Sequence, residues 1–287
     1  MHTLLCGNGI RCYTGSSNVT ASYNTISYVG YNLEFTSSGG GTLDGECLSV
    51  QGSSNIIFYH NSCEKIRRGV VYYTSSAITG GEVYGNTIND YTYSGITIAG
   101  DTSDSWTDLK IYNNVVVSSL SPSSNGIYLA SPSTDCLVVN NYIEGGHNNF
   151  QITDTGWTLK NNISVNPDGS YHVASSSTFI ADYNDYYHDN GTKYWQYNGG
   201  SARSVFSDYQ TDSSQEANSI TSDPLLNSSY HLKKGSPCRD AGSTISGVTT
   251  EYYGSAVDIG WKEYDRRGSG DLSLGLGNYR KLKRTQP

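Results

Sequence analysis

The chain has 287 residues, 15% of them charged and 36% hydrophobic, with 32 Gly, 25 Tyr and a formal net charge of −8. So little charge and so few apolar residues exclude a helical protein, which needs Leu, Ala, Glu and Lys in quantity. The aromatic content excludes disorder, and no apolar run approaches the ~18 residues of a membrane helix. An all-β chain in one large domain remains.

In chain order, the first strand is Gly9-Ile-Arg-Cys-Tyr13, with no amphipathic helix before it. A short pattern then recurs: alternating apolar residues, an Asn, one residue, then an apolar residue. It reads Ala21-Ser-Tyr-Asn24-Thr-Ile26, Ile57-Phe-Tyr-His-Asn61-Ser-Cys63 and Val83-Tyr-Gly-Asn86-Thr-Ile88. It returns around Asn114, Asn141, Asn162 and Asn184, with spacings of 37, 25, 28, 27, 21 and 22 residues. Five of these match one coil of a β-solenoid, and the longest contains an insertion at 37–45.

A second strand follows each Asn: Asn32–Phe35, Gly69–Tyr72, Gly95–Ile98, Gly126–Leu129, Asn149–Ile152 and Ser170–Val173. Period-2 alternation sends Leu33/Phe35, Val70/Tyr72, Ile96/Ile98, Ile127/Leu129, Phe150/Ile152 and Tyr171/Val173 inward. Stacked in register, the Asn residues would adopt left-handed φ and form a polar ladder, with Gly at the tight turns. Charge is scarce because like charges would repel across stacked coils. The expected fold is an all-β, single-stranded, right-handed parallel β-helix of about seven coils. Residues 1–178 form the coils, 179–264 the last coil and an irregular C-terminal capping segment, and 265–287 a flexible basic tail.

Residues 262–287 hold seven basic and three acidic side chains, leaving a body with 11 basic and 23 acidic. That acidic body argues against sequence-independent nucleic-acid binding. The six cysteines show no zinc spacing. Cys6 with Cys12 and Cys47 with Cys63 are the local pairings, and buried free thiols are the alternative.

The coils resemble the repeats of the pectate-lyase-like superfamily. The resemblance is more specific at the end, where Ala217-Asn-Ser-Ile-Thr-Ser-Asp-Pro-Leu-Leu226 precedes Leu232-Lys-Lys-Gly-Ser-Pro-Cys-Arg-Asp-Ala-Gly242 and Val257-Asp-Ile-Gly260 through Glu263. It implies a secreted or cell-surface protein with a polysaccharide partner. It does not fix an activity, since lyases, hydrolases, epimerases and tailspike modules share that fold. Motifs of the polygalacturonase-like glycosidases and alginate epimerases are missing. So is the strand lysine of the related lyases, in whose place stands Gly69-Val-Val-Tyr-Tyr-Thr-Ser75.

Three clusters are candidate sites. The turn with Lys65, Arg67 and Arg68, together with Tyr93 and His147, offers a cation to neutralise a uronate carboxylate and groups to transfer protons, as a polysaccharide lyase requires. The outward residues Tyr73, Tyr128, Gln151 and His172, with Trp106 and Trp157, offer sugar platforms. The loop carrying Asp101, Asp104 and Asp108, with Asp154 nearby, offers paired carboxylates for a glycosidase or oxygens for Ca²⁺, the one cofactor considered. Against these stand a solvated ion-pair cluster, an ordinary polar β face and hydrophilic turns. Asp182, Asp185, His188 and Asp189 read as turn formers. The leading function is a lyase-like enzyme on an acidic glycan. The alternatives are a non-catalytic glycan-binding or tailspike-like module, and a piece whose catalytic coils lie upstream of Met1. The uncapped first coil calls for earlier residues, a second copy or another chain to cover it.

Overall fold

The computed structural model describes residues 8–29, 45–74, 76–100, 105–118, 124–249 and 252–264. The chain winds into a parallel β-solenoid, and Phe206–Ser213 is the one α-helix among the described residues. A first face stacks the seven strands Thr20–Ser22, Ile57–Tyr59, Glu82–Tyr84, Lys110–Tyr112, Cys136–Val139, Trp157–Lys160 and Ile180–Asp182. A second face follows each Asn, at 25–27, 62–64, 87–89, 115–117, 142–144, 163–165 and 185–187. A third face carries the second strands, from Asn8–Cys12 and Glu46–Gln51 to Tyr171–Ser175. Ser62–Thr74 and Thr87–Gly100 bend through the corner between the second and third faces, which joins both into one 13-stranded sheet. About five full turns are present among the described residues rather than seven.

The ladder of asparagines runs the length of the stack. The Oδ1 atom of Asn61 accepts both the backbone N–H and the Nδ2 of Asn24, at 3.1 and 2.8 Å. The same double bond repeats from Asn61 to Asn86, Asn114, Asn141, Asn162 and Asn184. Each Nδ2 below Asn24 also donates to a carbonyl of the coil before, such as Val83 O for Asn114 at 2.8 Å. The left-handed residue is not the ladder Asn, as expected, but the one before it. Tyr23, His60, Gly85, Asn113, Asn140, Asn161 and Tyr183 have φ between 52° and 63°. The reversal and the inward side chain cannot be made by one residue, so adjacent positions divide them.

A second column explains why the third-face strands begin with glycine. At the corner, Gly69, Gly95 and Gly126 face Ile88, Val116 and Ile143 of the second face so closely that a Cβ would collide with each. Where the column carries a side chain, its partner changes to suit. Cys47 meets Cys63 in a disulfide, and Asn149 Nδ2 meets Ser164 Oγ at 2.9 Å. This sulfur pair is one of the two local pairings considered; Cys6 lies outside the described residues, and Cys12, Cys136 and Cys238 are buried free thiols. Closing a 16-residue separation is worth about 3 kcal/mol.

The inward residues stack as expected from Val70/Tyr72 to Phe150/Ile152, all of them fully buried. Two assignments change. Asn32–Phe35 lies outside the described residues, and Leu48 and Val50 of Glu46–Gln51 pair with Val70 and Tyr72. In the last coil Phe150 and Ile152 pair with Val173 and Ser175, so Tyr171 stands at the corner beside Asn148 instead of in the core.

The segment after the coils closes the stack. Asn184, the last ladder rung, donates to the buried carboxylate of Glu216 at 3.0 Å, and Tyr186 donates to it at 2.5 Å. Leu232, Cys238 and Ile259 then cover Val115, Tyr142 and Ile163 on the second face. Three acids of the final motifs hold the backbone of this strap. Asp258 accepts from Asp240 N and Tyr264 N, Glu263 from Asp258 N, and Asp240 from Ser255 N. Residues 265–287 lie outside the described residues.

Candidate functional site

The third face presents three outward columns, because its strands pair in register. One runs Glu46, Arg68, Ser94, Asn125, Asn148 and Tyr171; the next runs Ser49, Val71, Thr97, Tyr128, Gln151 and Ala174; the third runs Gln51, Tyr73, Ala99 and Ala130. Stacking at about 4.8 Å per strand makes this a strip along the solenoid axis. Its polar side chains are linked across columns. Ser94 and Thr97 hydroxyls lie 2.6 Å apart, and Asn148 Nδ2 donates to Gln151 Oε1 at 2.8 Å and Asn125 Oδ1 at 3.1 Å.

Arg68 is the exceptional residue of the strip. It is only 8% exposed. Its Nη1 lies 3.9 Å from Glu46 Oε1, beyond hydrogen-bond length. Neither Nε nor Nη1 has a hydrogen-bond partner among the described residues. Its guanidinium sits 4.4 Å from the ring centre of Tyr93, which Arg67 also approaches at 5.4 Å. The ring contributes about 1–2 kcal/mol to a desolvated cation, and Glu46 supplies the opposite charge. Neither satisfies the N–H fork, and a buried donor left unmade costs about 1–3 kcal/mol, more when charged. A carboxylate is the acceptor that complements such a guanidinium.

The other expected catalytic residues separate. Lys65 occupies a left-handed turn at φ 53°. Its ammonium donates to Glu64 at 2.8 Å and lies 5.3 Å from the Tyr28 ring centre. Hydrogen bonding to Glu64 and to Tyr28 pushes its pKa up, which makes it a poor base. His147 precedes Asn148, two coils beyond Tyr93, with its ring against Gly169. The stack therefore brings Arg67, Arg68 and Tyr93 together and leaves Lys65 and His147 outside that contact.

Of the expected sugar contacts, Tyr73, Tyr128 and Gln151 are half-buried on this face, as read from the alternation. Trp106, Trp157 and His172 are not platforms, because all three are fully buried. Trp106 packs edge-on to Tyr72 at 5.5 Å, and Trp157 Nε1 donates to Ser131 O at 3.1 Å. His172 falls in the corner column after Asn149, where side chains point inward. Its ring stacks on Trp195 at 5.1 Å, with Nδ1 2.8 Å from Ser164 Oγ and Nε2 3.1 Å from His188 Nδ1. Burial, then His188 and Lys193, lower its pKa well below the usual value.

Asp101 and Asp104 lie outside the described residues. Asp108 pairs with Lys110 at 3.3 Å, and Asp154 accepts its neighbour Thr155 N. No group of three or more His, Cys, Asp or Glu side chains suited to a metal occurs among the described residues. The supposed turn formers split: Asp182 holds Tyr183 N and Asn218, whereas Asp185 is buried against the Cys238 thiol at 3.0 Å.

Two features escaped the sequence reading. Glu216 ends the ladder from 32 positions beyond Asn184. On the first face Tyr59, Tyr84 and Tyr112 stack at 5.0 and 4.9 Å. That stack was readable, since each Tyr stands two residues before a ladder Asn. No family model and no curated protein matches this chain.

Proposed function

We propose that this β-solenoid is a secreted or cell-surface protein that binds an acidic, uronate-containing polysaccharide along its third face. The observation that carries the reading is the buried Arg68 guanidinium beside Tyr93 and Glu46, whose Nε and Nη1 have no hydrogen-bond partner among the described residues. A uronate carboxylate would complement it in charge. The Tyr128, Gln151, Asn125 and Asn148 side chains continue the strip with hydroxyl and amide groups suited to sugar hydroxyls. The Cys47–Cys63 bond supports an oxidising compartment.

Binding is favoured over cleavage because neither Lys65 nor His147 stands beside the cation as a base. Lys65 is held as an ammonium by Glu64 and Tyr28, and His147 is two coils away. One contact supports β-elimination as a second reading: the Tyr93 ring, 40% exposed, lies against the guanidinium that would neutralise the carboxylate. As the phenolate, Tyr93 would take the C5 proton, the C5–H electron pair forming the C4–C5 double bond as the C4–O bond breaks, and the resulting phenol would protonate the leaving glycosidic oxygen.

Native affinity electrophoresis through polygalacturonate, alginate and hyaluronan tests both readings. Retardation by at least one polymer, without ultraviolet absorbance from an unsaturated product, is the expected result. Retardation with that absorbance selects the lyase. Unretarded migration in every polymer contradicts the proposal.

A further inference from the structure

We infer a second, separate binding site on the first face, for a neutral saccharide. A cleft of about 300 Å³ opens there, lined from four successive coils by Asn18, Asn55, Gly80, Glu82, Asp108 and Lys110, among others. It lies at the low end of small-molecule sites, roughly 300–1,000 Å³.

A turn column makes the cleft. Asn18, Asn55 and Asp108 each occupy a left-handed position at φ 56°, and Gly80 takes the equivalent place at φ 73°. The third coil alone has two glycines there, Gly80 and Gly81, both with positive φ. A Cβ at Gly80 would collide with Asn55 Oδ1, so the Asn55 amide lies over a floor without side chains. Replacing the column's side chain by hydrogen in one coil makes room for the Asn55 amide, which covers the backbone there and forms part of the cleft lining.

The chemistry of the walls selects the ligand. Asp108 and Lys110 neutralise each other at 3.3 Å. Glu82 accepts from the Tyr112 hydroxyl through Oε2 at 2.8 Å, and its Oε1 accepts no hydrogen bond among the described residues. The cleft is thus net negative and repels the carboxylates that Arg68 would draw. The Asn18 and Asn55 amides and the Thr20 hydroxyl both donate and accept, while Ile57 and the glycines give an apolar patch. Alternating hydroxyls and C–H faces are what a neutral sugar presents to such a surface. Beside the cleft, Tyr84 stacks between Tyr59 and Tyr112 within 9° of parallel. Those ring faces are spent on one another, which fixes the Tyr112 hydroxyl on Glu82 and holds that wall rigid.

Calorimetric titration of the intact chain with gluco-, manno-, galacto- and xylohexaose tests the inference. At least one should bind, and Glu82→Gln and Lys110→Ala should each weaken it about tenfold or more. Lys234→Ala, at an exposed position of the strap, should not. Excess trigalacturonate should leave the hexaose bound, which separates this site from the Arg68 strip. The inference is overturned if no hexaose binds, if both cleft variants bind as wild type with unchanged unfolding midpoints, or if trigalacturonate displaces the hexaose.

Discussion

Asn114→Ala is expected to destabilise the solenoid by about 2–6 kcal/mol. Asn114 is fully buried near the middle of the ladder. Its Oδ1 accepts two donors from Asn86, and its Nδ2 donates to Val83 O and Asn141 Oδ1. Truncation leaves Asn86 N–H and Val83 O without these partners in a site closed to bulk water, whereas Asn86 Nδ2 keeps Phe58 O and Asn141 Oδ1 keeps the Asn114 backbone N–H. Each buried orphan costs about 1–3 kcal/mol. The coils also lose the link that fixes their register. Asn24→Ala, at the partly buried first rung, removes only donors to Asn61 and Ser22 O and should cost about 1 kcal/mol. Urea unfolding of the two variants measures the contrast. Equal and small losses would show that strand pairing and core packing hold the coils without the ladder.

The second large effect is a pH-dependent gap between wild type and Glu216→Gln. Burial raises Glu216 from 4.5 to about 7, against the pull of hydrogen bonds from Ser219, Tyr186 and Asn184. The folded state therefore binds a proton at this residue that the unfolded chain has released. That contribution is fully present below about pH 4.5 and lost as pH rises towards 7, and a shift of this size corresponds to about 3 kcal/mol. Gln carries no such proton. The variant should gain about 3 kcal/mol on wild type between about pH 5 and about pH 8.

The difference is needed because other groups titrate in the same range. Asp185 is also raised to about 7 by burial, adding a slope of the same sign. His172 and His188 are lowered by burial, so their contribution opposes it and is lost as pH falls through the histidine range. Denaturant midpoints of both proteins across that range read the gap. A gap independent of pH would show that Glu216 is ionised in the folded chain.

The periodic parts of the fold were legible in the sequence because stacking repeats their chemistry every coil. Asn61, Asn86 and Asn114 occur at coil spacing because each donates to the Asn Oδ1 of the next coil and accepts from the Asn of the coil before. Val70/Tyr72 and Ile96/Ile98 were readable for the same reason. What occurs once per molecule was not. Glu216 closes the ladder from a non-repeating segment, and no local pattern marks it. The corner also defeats simple alternation: at the bend between faces, the glycine and the residue after it both turn towards the interior. His172 occupies the glycine's place in the last coil, which is why an outward reading failed for it. Trp106 misled because a tryptophan beside acidic turns looks like a sugar platform, whereas its ring fills the core against Tyr72.

The candidate site was legible as a cluster of charge in a charge-poor chain. The sequence could not show which cation is special. Lys65 has Glu64 beside it in sequence, and the structure joins them. Glu46, the counter-charge of Arg68, follows an insertion in the longest coil and lies outside the repeating pattern. Only the parallel register of Glu46–Gln51 on Ser62–Thr74 places it next to the guanidinium.

The most direct measurement is calorimetric titration of a uronate oligomer of the retarding polymer into wild type, Arg68→Lys and Arg68→Ala. The fork geometry predicts that Ala weakens binding at least tenfold. Lys, which keeps the charge but not the planar donors, should fall between. All three should share one unfolding transition type, so that lost affinity reports the site. Undiminished affinity in a folded Arg68→Ala protein would contradict the assignment of the third face as the acidic-glycan surface.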